Sequence, residues 1–211
     1  MSSFLKQLFS GKKICGPPDA DEIRRAIQSR YAGVACCAEG QFRYPTGRAG
    51  SEALGYDPSH IAEAPAGMLA SFCGVGNPFA LGEIGSGAAV LDIGCGAGLD
   101  LYCAARLAGP TGKVTGIDLT PEMAAKARQN LDEAGLKNVE VREGLAEELP
   151  FEDNSFDIVI SNGVLNLSPH KGQLFSEIHR VLRPSGRLQF ADVVLKEELP
   201  PAQMSAKAWS E

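Results

Sequence analysis

"VLDIGCGAG", residues 90–98, runs four residues of buried-strand character into five positions of which three are glycine. Glycines 94, 96 and 98 follow the strand end directly and precede "LDLYCAARLA", which reads as a helix. Residues without a side chain allow a tight turn there and let a ligand approach the backbone closely. Asp118 lies 20 residues beyond Gly98, at the tip of the next strand, "KVTGIDL". A carboxylate at that point can accept hydrogen bonds from ribose hydroxyls, so the stretch predicts an adenosine-bearing ligand. Read alone, the same spacing also describes a packing turn, and Asp118 a helix-cap or turn residue.

Outward from this stretch, strands and helices alternate from residue 88 onward. "TPEMAAKARQNLDEAG" is a helix whose start carries Thr120 as a cap, Pro121 at the first position and Glu122 at the positive end, with Gly135 to stop it. "VEVRE" is a third strand and "FDIVISNG" a fourth. "KGQLFSEIHRVL" spaces Leu174, Ile178 and Val181 as a helix does, "LRPSG" ends that helix, and "RLQFADVVL" is a fifth strand. Strands with little polar alternation, separated by helices, predict a doubly wound α/β fold with a mostly parallel, Rossmann-like sheet.

Residues 1–85 have a different texture. A helix is expected near 19–33, followed by segments punctuated by glycine and proline, such as "YPTGRAG" and "YDPSHIAEAPAG". Their apolar residues are scattered, which predicts an irregular amino-terminal cap or lid over a second unit, 86–211. The chain has 211 residues and a formal net charge of -6, with the acidic excess in 89–211. That balance speaks against a nucleic-acid footprint; "GKK" at 11–13 and "RR" at 24–25 read as solvated faces. No run approaches the roughly 18 apolar residues of a membrane span, and "MSSFLKQLF" does not resemble a signal peptide. An intracellular, cytoplasmic protein with free thiols is the expectation.

Two kinds of adenosine cofactor suit the glycine turn: a dinucleotide, or S-adenosylmethionine. A pyrophosphate favours a helix start free of carboxylates. Asp92 precedes the glycines and Asp100 follows them, which suits a ligand bearing an ammonium and a sulfonium. Residues 88–195 resemble the class I S-adenosylmethionine-dependent methyltransferases, and most of all the arsenite methyltransferase family. The resemblance is carried by "GVGNPFALGEI", "VLDIGCGAGLDL", "GIDLTPEM", "ARQNLDEAGLKNVEVREG", "AEELPFEDNSFDIVISNGVLNLSPHK" and "EIHRVLRPSGRL", with a looser match in "YAGVACC". It implies that Gly94, Cys95, Gly96 and Gly98, with Asp92, surround the cofactor's amino-acid end and that Asp118 binds ribose. Leu119, Thr120 and Met123 then line the adenosine pocket, Gly144, Leu145 and Ala146 flank the adenine, and Asn162 lies under the methionine portion. Leu145 stands where many members carry an acidic residue, so the adenine contact falls to backbone or to Glu147.

Methyl transfer to a nucleophilic acceptor needs alignment and shielding from water more than proton transfer. Tyr31, Tyr44 and Phe72 are candidates for such a shield, though each also reads as ordinary apolar packing. The resemblance supplies an acceptor, trivalent arsenic, whose softness matches thiolate sulfur. Cys36, Cys37 and Cys73 are the candidate acceptor ligands, with Cys15 behind them. Cys95 and Cys103 read as packed residues. The family commonly has a cysteine where this chain has Gly163, and another beyond Glu211, which puts arsenite itself in doubt. His170 and Asn166, after the fourth strand, are the other catalytic candidates: His170 as a proton acceptor, Asn166 for its place at the crevice. His60, His170 and His179 are scattered and no CxxC occurs, so no structural metal is expected. The alternatives are a methyltransferase for a carbon, nitrogen or oxygen of a small metabolite, a non-catalytic cofactor-binding partner subunit, or an oxidoreductase with an unusual nucleotide loop. Class I sheets usually have seven strands and five are legible here. An apolar edge is therefore expected at the fifth strand, covered in a longer chain or by a second copy in a homodimer.

Overall fold

The computed structural model describes residues 19–194, 196 and 205–210. The "MSSFLKQLF" start, "GKK" and Cys15 lie outside these residues, as do Leu195 and most of the segment that follows it.

Helix α1 spans Ala20–Cys36, three residues past the predicted end. Asp19 caps it, its carboxylate accepting from the Glu22 backbone N–H at 2.7 Å. Ile23, Ile27 and Val34 fall on one buried face. Three short helices follow: α2 (Gly47–Ala53), α3 (Pro58–Ala62) and α4 (Ala66–Ala70). The apolar residues that look scattered in this region converge in space. Tyr56, Ile61, Met68, Leu69, Phe72 and Ile84 join one buried cluster with Val90, Leu101, Ala124 and Ile160. Each side chain fully buried in that way contributes about 1.5–3 kcal/mol. Sequence spacing hides this because the partners lie far along the chain.

The sheet is parallel throughout, in the order β3-β2-β1-β4-β5. Its strands are β1 (Ala89–Ile93), β2 (Lys113–Asp118), β3 (Val139–Glu143), β4 (Phe156–Asn162) and β5 (Leu182–Ala191). Helices α5 (Leu99–Ala108) and α6 (Pro121–Glu133) cover one face and α7 (Lys171–Val181) the other. Val90 and Ile160 point into the first cluster, whereas Leu91, Ile93 and Val159 point into the second with Leu174 and Ile178. Both faces of the central strands are therefore apolar, which explains their near-continuous hydrophobic sequence. The connections change direction between β1 and β4, and a crevice opens at the carboxyl ends of those two strands.

Two details differ from the sequence reading. β5 runs over 182–191 rather than 187–195. "RPSG" does not leave the sheet. Its strand shifts register against β4 between Phe156 and Ile158, with Ser185 at φ 67° absorbing the irregularity. Thr120 occupies the cap position of α6, but its side chain makes no capping bond to the helix. The β5 edge is also less apolar than expected: Arg183, Pro184, Ser185 and Arg187 are exposed along it, beside the half-exposed Phe190. No described helix is long and apolar enough to cross a membrane.

Candidate active site

The β1–α5 loop forms the floor of the crevice. Gly94 has φ 72°, and a Cβ there would lie 2.3 Å from a methyl of Val164, so only glycine fits. Gly98, at φ 97°, turns the chain into α5. Between them the Gly96 N–H donates to Asp118 Oδ2 at 2.8 Å, and the Thr120 N–H donates to Oδ1 at 2.8 Å. Asp118 therefore ties the glycine loop to the end of β2.

Around this floor lies a pocket of roughly 1120 Å³, part of it open to solvent. Its walls include Gly94, Cys95, Gly96, Asp118, Leu119, Thr120, Met123, Gly144, Leu145, Ala146 and Asn162, which the sequence had assigned to one ligand. Glu147, which is buried, also lines it and accepts from the Ser168 hydroxyl at 2.7 Å. Gly98 and Asp92 stand behind the wall. The roof comes from the amino-terminal region, through Ile27, Tyr31, Met68, Phe72 and Cys73. Helix α8 (Ala206–Ser210) packs on α1, and the Trp209 indole N–H donates to the Leu167 carbonyl at 2.8 Å.

The pocket is strongly acidic for its burial. Desolvation raises the Asp100 and Asp118 carboxyls to about 6 each. Asp92 is raised further, by burial first and then by the charges of Asp100 and Asp118. Its Oδ2 is buried without a hydrogen-bond partner. The two lining carboxyls, Asp100 and Asp118, have neutral hydrogen-bond partners, and buried carboxyls without a counter-charge favour a cationic guest. The apolar walls formed by Leu119, Met123, Leu145 and Ala146 suit a flat aromatic base. An S-adenosyl ligand, with ammonium and sulfonium at one end and adenine at the other, fits this donor set.

Of the candidate acceptor ligands among the described residues, Cys36, Cys37 and Cys73, only Cys73 lines the pocket. Burial pushes its thiol up to about 12, so it stands protonated at neutral pH. Cys36 and Cys37 are exposed and lie outside the lining. Cys95 is buried with its sulfur against Gly116. Gly163 lines the pocket at φ 75°, facing Val75. His170 is exposed at the start of α7, and its backbone N–H donates to the Ser168 hydroxyl. Asn166 turns to Asp192 through its backbone, away from the pocket lining. Phe72 and Tyr31 stand in the roof; Tyr44 lies behind it, its hydroxyl donating to the Cys73 carbonyl at 3.0 Å. The described residues contain no group of three or more metal-ligating side chains.

Sequence reasoning missed Tyr56. It is 3% exposed, and its hydroxyl donates to Asp100 Oδ1 at 2.6 Å. The only sequence signal was the carboxylate at Asp100, whose partner lies 44 residues earlier.

A parallel sheet with a glycine loop after β1, a carboxylate at the tip of β2 and a crevice at the β1/β4 switch defines a class I S-adenosylmethionine-binding fold. Residues 84–210 match a family model described as a methyltransferase domain, and the chain belongs to that family. It is 41% identical to an arsenite methyltransferase of Halobacterium salinarum over 86% of this chain and 50% of that protein. It is also 41% identical to a demethylmenaquinone methyltransferase of Listeria welshimeri, over 52% of this chain and 47% of that protein. Among solved structures, an arsenic(III) S-adenosylmethionine methyltransferase from Chlamydomonas reinhardtii superposes with a TM-score of 0.63 at 40% identity. The superposition covers 68% of this chain and 50% of that one. The chain thus spans about half the length of these relatives.

Proposed function

We propose that this chain transfers a methyl group from S-adenosylmethionine to a small acceptor held under the amino-terminal helices. In this reading residues 86–211 bind the cofactor and 1–85 serve as the cap. The observation that carries it is the acidic glycine cradle opening directly beneath an apolar roof that contains one thiol, Cys73. When bound, the cofactor supplies an electrophilic methyl carbon on a sulfonium. Asp100, in the pocket lining, balances positive charge at that end, while Asp118 holds the glycine loop and faces the ribose. Phe72 and Met68, in the roof, exclude water from the methyl carbon's path. Cys73 and Tyr31 both have raised pKa values, with burial the largest cause, so neither serves as a base at neutral pH. The acceptor therefore brings its own nucleophilic lone pair.

A trivalent arsenical carried by small thiols meets that requirement, since its lone pair needs no deprotonation. The relatives named as arsenite and arsenic(III) methyltransferases support this acceptor. Cys73 then anchors it by thiol exchange: the Cys73 sulfur bonds to arsenic as one arsenic–sulfur bond to a small thiol breaks, and that thiol leaves carrying the Cys73 proton. The exposure of Cys36 and Cys37 favours a second reading, an apolar organic acceptor, for which the demethylmenaquinone enzyme is the precedent. A labelled-methyl assay with arsenite plus thiol, run beside a metabolite extract, separates the two. Transfer to arsenite that is lost in Cys73→Ala supports the first. Transfer to an organic acceptor that survives Cys73→Ala supports the second. Absence of transfer to either mixture, with cofactor bound, sinks both.

A further inference from the structure

The amino-terminal helices do more than cover the pocket. Tyr56, in the loop between α2 and α3, stands behind the pocket lining and reaches two residues of it, Asp100 and Asn162. Its ring is held edge-on between Phe72 and Phe79, at centroid distances of 5.4 and 5.9 Å. These contacts fix the ring independently of its hydroxyl. The hydroxyl donates to Asp100 Oδ1 at 2.6 Å and accepts from Asn162 Nδ2 at 3.0 Å. The two N–H groups of Asn162 Nδ2 are shared among three acceptors, the Tyr56 hydroxyl, the Gly76 carbonyl at 2.9 Å and Asp100 Oδ2, the longest contact, at 3.2 Å. Asn162 Oδ1 accepts from the backbone N–H groups of Val75 and Gly76, at 2.8 and 3.1 Å. The Asn162 amide is thus consumed in joining β4 to the cap. The Asp100 carboxylate is not: each of its oxygens takes one protein donor and keeps a lone pair.

Asp100 and Asn162 both line the pocket. Among the described residues, the titratable groups acting on Asp100 or acted on by it are Tyr56, Cys73, Asp92 and Cys103, and none of these is a cation. A desolvated carboxylate in that company, aimed and held by two donors, is built to receive a charged donor from a ligand. The positively charged donor that an S-adenosyl ligand offers is its α-ammonium group.

We infer that Tyr56 is a positioning residue for the cofactor's amino-acid end, orienting the Asp100 carboxylate that receives the ammonium; this rests on the methyltransferase reading above. Its hydroxyl bond also favours the ionised carboxylate, so its loss moves the Asp100 titration upward from about 6.

The test is calorimetry with two ligands, S-adenosylhomocysteine and methylthioadenosine. They share the adenosine and the thioether, and only the first carries an ammonium. Tyr56→Phe is expected to weaken S-adenosylhomocysteine about tenfold at pH 7, the size of a lost hydrogen bond to a charged group, and to leave methylthioadenosine within about twofold. The pH at which S-adenosylhomocysteine binding is half lost should rise in this variant. Asp100→Asn should show the same ligand selectivity, and the double variant should bind no more weakly than Asp100→Asn alone. Equal weakening of both ligands would mean that Tyr56 only packs the cap, and the inference fails. Unchanged binding of both overturns it as well. If wild-type protein bound neither ligand, the methyltransferase reading itself would fall, a result distinct from any loss confined to the variants.

Discussion

The floor and the roof of the pocket are built by different means. The floor is made by backbone: Gly94, Gly96 and Gly98 set its path, and Asp118 pins it through two N–H groups. The roof is made by side chains gathered from Arg24 to Cys73, whose packing partners lie up to a hundred residues away. A floor of this kind tolerates almost no change in residue type, whereas a roof of this kind tolerates changes that preserve its volume. In the proposed reading, the difference separates what holds the cofactor from what selects the acceptor.

The comparison breaks most violently at Gly94. Gly94→Ala forces a side chain into a left-handed residue and against Val164, at a combined cost of about 2–5 kcal/mol. Urea unfolding should show that loss, and calorimetry should show no S-adenosylhomocysteine binding. Next comes Asp118→Ala, which removes the acceptor from two backbone donors. Cofactor binding is expected to weaken by about 2 kcal/mol, about thirtyfold, with a smaller effect on folding. An Asp118→Ala protein that bound S-adenosylhomocysteine at wild-type strength would remove the floor's special status.

A third effect depends on pH. The Asp100 carboxyl titrates near 6 in the folded chain and near 3.9 when unfolded, so the folded state binds its proton more tightly. That group favours folding in acid, and its contribution is lost as pH rises from about 4 through about 6. Asp100→Asn cannot ionise and escapes the loss. Without ligand, its melting temperature should therefore gain on wild type between pH 4.5 and 7, then hold a constant offset. Asp157 and Glu177, whose carboxyls are lowered, act in the opposite sense and cancel in this difference. The smallest effect is expected where the roof ends. Cys36→Ser with Cys37→Ser should alter stability by under about 0.5 kcal/mol and leave methyl transfer unchanged, because both thiols are exposed. A marked loss of transfer would bring that pair back into the acceptor site.

The same contrast explains what could be read from sequence. The strands β1 to β4, the glycine turn and Asp118 are local patterns, and they stand where their spacing puts them. The start of β5 was misread because Pro184 and Gly186 carry the residue types of a turn; a register shift keeps them in the sheet. Tyr56 was invisible because nothing around "YDPSH" marks a residue whose partners are Asp100 and Asn162. Cys36 and Cys37 drew attention as chemistry-bearing residue types. Their exposure is a property of the fold, which residue type does not reveal. Cys73 carried no stronger sequence signal, yet it stands in the roof of the pocket.

Trp209 is the sole tryptophan of the chain, and it sits with its indole nitrogen on Leu167, a residue of the pocket wall, and the Lys171 ammonium 5.3 Å from its ring. Its emission is therefore an optical signal native to the protein and free of background from other indoles. A ligand that moves Leu167 or Lys171 is expected to shift that emission, which a titration of the unlabelled chain would read.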